Sequence, residues 1–164
     1  MTFYKGIRSK TLRNLLNLAN FWDQGNITLS NEITRLDSEK VSTYLGCSPD
    51  IARYYLRTLY LVVNHLVDRK PLTSFNTIRI KTLATLLKLT NLLIKGKIQL
   101  NNHQHKEQYL FLREIIKLLD VPTVATERTA WNHYKTLLQL AWMITEKFKS
   151  EDDNGFMDYF SSAS

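Results

Sequence analysis

Apolar residues recur along most of the chain at intervals of three and four, the period of a helix with one buried face. Leu12, Leu15, Leu16, Ala19 and Trp22 form the first such stripe, and Gly25 predicts its end. After the polar run QGNITLSNEITRL, Asp37 is expected to cap a short helix over 38–45 that stops at Gly46. Ser48 then caps a new helix with Pro49 in its first position, where a missing amide hydrogen costs nothing. That helix is expected to reach Asp68, with Ala52, Leu56, Leu59, Val63 and Leu66 on one face and Arg53, Arg57 and Asn64 on another. The turn RKPLTS precedes a helix expected over 75–95 and closed by Gly96, and two more are expected over 104–120 and 124–148, divided by DVPT. Only KGKIQL and NITL read as strands, neither with a clear partner. With no internal repeat and no long linker, the pattern predicts an all-α fold: a single bundle of five or six helices over 1–150, followed by an acidic tail over 151–164.

The segment 38–68 has the outline of a DNA-reading helix-turn-helix. Such a corner needs a small or apolar first helix, a glycine turn, a capped second helix and polar side chains on its exposed first turns. Val41, Ser42, Leu45, Gly46, Ser48 and Pro49 supply the first three, and Asp50, Arg53, Tyr54 and Arg57 supply the last. Two features point the other way. Ala52 stands where a branched aliphatic side chain is usual, and the second helix runs on into the apolar LYLVVNHLV, as a central bundle helix does. The alternative is a structural corner in which Gly46 simply terminates a helix in the left-handed conformation.

Charge adds a direction to this pattern. The 164 residues carry a net charge of +7, unevenly spread. Residues 1–20 hold Lys5, Arg8, Lys10 and Arg13 and no acid, residues 51–100 hold nine basic residues against Asp68 alone, and the tail holds Glu151, Asp152, Asp153 and Asp158 without a base. This asymmetry favours an anionic partner for the first and middle segments, nucleic acid being the commonest. Within the helix expected over 75–95, Lys81, Lys88 and Lys95 recur every seven residues, about 10 Å apart along one face, with Thr77 and Thr85 beside them. Lysines in line can follow a phosphate backbone without reading bases. The alternative is a solvated face opposite Leu83, Leu86, Leu87, Leu93 and Ile94; the lack of any acid from residue 69 to 106 favours phosphate, because a face made only for solubility mixes signs. Arg79 and Lys97 extend the same run.

Composition bounds the rest. A hydrophobic content of 44% is enough for a real core, and a single cysteine, Cys47, excludes an internal disulfide framework and fits a reducing compartment. No segment has the apolar run of a signal peptide or a membrane span, so the expectation is a cytoplasmic protein with no membrane partner. Candidate catalytic groups are sparse. His103 and His105 sit in HQH with no carboxylate or cysteine at metal-ligand spacing, His65 and His133 stand alone within helices, and neither a glycine-rich phosphate loop nor a nucleophile arrangement is present. The expectation is a non-enzyme with no cofactor and no metal. Of the aromatic residues, Tyr4 and Tyr54 lie beside basic residues where a base could stack, whereas Trp22, Trp131 and Trp142 are expected in the core.

The basic opening MTFYKGIRSKTLRNLLNLANFW and the run NTIRIKTLATLLKLTNLLIKGK together resemble the small subunit of CRISPR type I and III effector complexes, the helical protein that lines the belly of Cascade-like assemblies. The resemblance is one of architecture over the whole chain and transfers no residue by position. It implies a role in antiviral defence in which basic side chains hold nucleic-acid backbone without sequence preference while apolar patches bind a large subunit and further copies of the same chain. The residues expected to touch nucleic acid come from the charge pattern: Lys5, Arg8, Lys10, Arg13, Arg79, Lys81, Lys88, Lys95 and Lys97, joined by Arg53, Tyr54 and Arg57 if the corner reads a groove. The alternative function is a dimeric helix-turn-helix transcription regulator, and a weaker one is an adaptor that binds an acidic protein.

Overall fold

A computed structural model describes residues 6–73, 78–100, 105–148 and Tyr159, with the backbone alone at 105–107. The described residues form six helices and no strand, the all-α bundle that the apolar period predicts. Helix α1, Lys10–Asp23, starts where the Ser9 hydroxyl accepts a hydrogen bond from the Leu12 N–H at 3.3 Å. It buries Leu12, Leu15, Leu16, Leu18, Ala19 and Trp22. Gly25, at φ 86°, then turns the chain in a conformation that residues with a Cβ rarely adopt.

Helix α2, Arg35–Leu45, begins earlier than the sequence pattern implies. Thr34 is its cap, accepting from the Asp37 N–H at 3.1 Å, and Asp37 lies in the first turn, where a carboxylate offsets the helix dipole. Gly46 at φ 71° ends it, and Ser48 caps α3, Pro49–Asp68, by accepting from the Ile51 N–H at 3.2 Å. The corner therefore exists as drawn.

Helix α4, Lys81–Ile94, is shorter than the expected 75–95. Ile78 and Ile80 are β-branched and stiff, Ile80 is extended at ψ 112°, and Ile78 is buried against the core, so these residues enter the helix as an extended lead. Helix α5, His105–Leu119, and α6, Glu127–Lys147, complete the bundle, with Thr126 capping α6. KGKIQL forms no strand; instead the Leu100 N–H donates to the Tyr159 carbonyl at 2.9 Å.

One apolar core runs through all six helices, with Leu15, Leu59, Leu86, Leu137 and Tyr134 among its buried members. Each such leucine contributes about 1.5–3 kcal/mol relative to exposure. Helices α1 and α6 pack side by side in the same direction. At one end the Arg8 N–H donates to Asn132 Oδ1 at 2.7 Å; at the other, Lys147 Nζ lies 3.6 Å from Asp23 Oδ1 and 4.8 Å above the Trp22 ring. Trp142, expected in the core, is 43% exposed. Among the described residues no helix is long and apolar enough to cross a membrane.

Candidate nucleic-acid interface

Two helix N-termini meet on one turn of α6. Asn132, 5% exposed, is fixed by its Nδ2 donating to the Arg128 carbonyl at 2.9 Å, and it presents Oδ1 to the Arg8 N–H, which seats the start of α1. The next residue, His133, is 2% exposed and faces the start of α4. Its Nδ1 donates to the Thr129 carbonyl at 2.9 Å, while Nε2 faces the Thr82 backbone without reaching hydrogen-bond geometry. Burial pushes this imidazole below its ordinary pKa, against the opposing pull of the Thr129 and Thr82 carbonyls, so it is a neutral wedge. Cations cluster on the helix starts that meet at this turn. Arg8, Lys10 and Arg13 are exposed at the start of α1, and Arg79 and Lys81 at the start of α4. Arg128 on α6 is also exposed, and Lys135 lies 5.4 Å over the Trp131 ring.

The sign of these charges is wrong for helix stability. A helix N-terminus carries roughly half a positive charge and is stabilised by acids. Neither α1 nor α4 has an acid in its first turn, and α4 has no side-chain cap at all. The nearest carboxylate on α6, Glu127, lies 3.5 Å from Arg113; it is held below the usual carboxylate range chiefly by its own backbone N–H and then by that guanidinium. An anion laid across this pole would meet two helix dipoles and several cations at once.

A second group of cations lies at the opposite ends of α3 and α4. Asn91 brings these ends together, accepting from the Leu72 N–H at 2.7 Å and donating to the Leu72 carbonyl at 3.1 Å. Tyr159 adds a clamp: its hydroxyl donates to the Leu66 carbonyl at 2.7 Å, and the Arg69 guanidinium lies 4.5 Å over its ring. Lys95 and Lys97 are exposed here beside Arg69 and Lys70. At helix C-termini cations offset the dipole, so the fold itself accounts for their sign.

The structure separates the remaining candidates. Lys88 is half-buried and donates to the Leu119 carbonyl at 2.8 Å, capping the end of α5, so the seven-residue lysine stripe is broken at its middle. Thr85 is buried, and Thr77 lies outside the described residues, as do Lys5, Tyr4, His103 and the acidic tail apart from Tyr159. Arg53 and Arg57 turn back onto the loop before α2. Arg53 Nη2 donates to the Ile33 carbonyl at 3.4 Å; Arg57 Nη1 donates to the Asn31 carbonyl and Oδ1 at 3.2 and 3.3 Å, with its Nε enclosed and unpartnered. Tyr54 packs against the core. Arg53 and Arg57 thus bond the chain itself, while Asp50 and Arg53 stay exposed on the polar face that a recognition helix would offer to DNA. Arg128 and Lys135, absent from the sequence reading, are seven residues apart on α6, the same spacing as the lysines of α4. Among the described residues no three His, Cys, Asp or Glu side chains gather where a metal ion could be held. No protein-family model, curated protein or solved structure matches this chain.

Proposed function

We propose that this protein is a non-enzymatic, sequence-independent nucleic-acid-binding protein that grips phosphate backbone at the pole where α1 and α4 begin. Arg8, Lys10, Arg13, Arg79 and Lys81 are the contacts, with Arg128 and Lys135 at the margin. The observation that carries this reading is the mismatch of sign: cations gathered at two helix N-termini weaken the fold where they stand, and a bound polyanion relieves that cost. The resemblance to the small subunit of Cascade-like effector complexes extends the reading to a place in a ribonucleoprotein. Support for protein neighbours comes from α5, where Tyr109 and Leu110 are 55% and 71% exposed.

The test is a titration against random single-stranded and double-stranded DNA and RNA at two salt concentrations, followed by selection for a preferred sequence. If each of the five principal cations meets one phosphate, log affinity for single strands falls with log salt at a slope of about −3 to −4, and no motif is selected. A palindromic motif lost in Arg53→Ala would establish the transcription-regulator alternative instead, and no binding at physiological salt would favour the adaptor.

A further inference from the structure

The other end of α1 holds a cleft of a different character. It has a volume of about 400 Å³ and lies between the α1 exit, α3 and the end of α6. Trp22, Tyr60 and Phe148 supply aromatic walls, Asn64 and Thr28 the polar groups, and Lys147 a single cation. Tyr60 and Asn64 are four residues apart on α3, so phenol ring and carboxamide lie side by side on one helix face. The Asn64 and Thr28 side chains make no hydrogen bond among the described residues, although the Asn64 carboxamide offers both a donor and an acceptor. Lys147 is held by Asp23 and by the Trp22 ring.

Electrostatics selects the ligand. Helices α1 and α6 both end beside this cleft, at Gln24 and Phe148, and helix C-termini together with the Asp23 carboxylate disfavour an anion inside it. A neutral, planar group with hydrogen-bonding edges fits: it stacks on an aromatic wall and pairs with a carboxamide. The outward face of α1 leads there from the basic pole. Lys10, Arg13, Asn17, Asn20 and Gln24 follow one another along about 21 Å without an acid among them.

We infer that this cleft is a nucleobase-binding subsite, in which one unstacked base lies on Tyr60 with its edge on Asn64 and its phosphate outside near Lys147. The inference rests on the backbone-gripping reading for the source of the base, a bound single strand, but the cleft's chemistry is equally that of a free nucleoside. Two measurements on the full chain separate these. Saturation-transfer NMR with adenosine reads the cleft alone; anisotropy with a single-stranded oligonucleotide and with a duplex reads it in context. Tyr60→Leu and Asn64→Leu should each abolish the adenosine signal and weaken single-strand affinity about tenfold, with duplex affinity and the melting temperature unchanged. Adenosine binding to wild type without strand binding would keep the cleft, assign it a free nucleoside and overturn the backbone reading. No adenosine signal from wild type, together with unaltered single-strand affinity in both variants, would overturn the cleft and leave the backbone reading standing.

Discussion

His133 shows how a single buried residue shapes the pole where α1 and α4 begin. Only its Nδ1 has a hydrogen-bond partner, and charging the ring would bury a cation whose second N–H has no acceptor in hydrogen-bond geometry. The groups facing it are the Thr129 and Thr82 carbonyls, and among the described residues no charged side chain bears on its titration. Its folded pKa is lowered, so the unfolded chain binds the proton first. Stability from this residue is therefore full above the ordinary histidine value and drains away as pH falls below it. Melting temperature measured between pH 7.5 and 5 should fall more steeply for wild type than for His133→Gln; equal slopes would mean that the ring titrates freely. The isolated position of His133 was readable from sequence, and its neutrality was not, because that depends on burial against the start of α4 at Thr82.

Helices were most legible where their ends are local chemistry. Gly46, Ser48 and Pro49 draw the corner between α2 and α3 from three residues, and α2 stops and α3 starts where they say. The start of α4 was hidden, because the apolar period continues through Ile78 and Ile80 although neither is helical and the Ile80 backbone is extended. Periodicity also assigned Lys88 to a solvent face, when what decides its role is another element: the last carbonyls of α5 need a donor, and Lys88 supplies it to Leu119. Lys88→Met should thus lower stability by about 1–2 kcal/mol in urea unfolding, since a charged donor to a half-buried carbonyl is lost. Oligonucleotide affinity should stay within twofold of wild type. A loss as large as that of Lys81→Met would return Lys88 to the interface.

At the scale of the whole molecule, the bundle sorts its cations by helix polarity. Those at the ends of α3 and α4 complement the dipoles, while those at the starts of α1 and α4 oppose them. The charge sum was visible in the sequence, but this division was not, since it depends on Asn132 and His133 holding two distant helix starts on one turn of α6. The most direct measurement is therefore a paired one on Lys10→Glu/Lys81→Glu: melting temperature and affinity for a random single strand in the same buffer. An acid at each N-terminus adds about 0.3–1 kcal/mol, so the variant should melt no lower than wild type while its affinity falls at least tenfold. Lys95→Glu/Lys97→Glu, at a C-terminus, should melt lower and bind with a smaller loss. If Lys10→Glu/Lys81→Glu binds as wild type does, the pole where α1 and α4 begin is not the nucleic-acid interface.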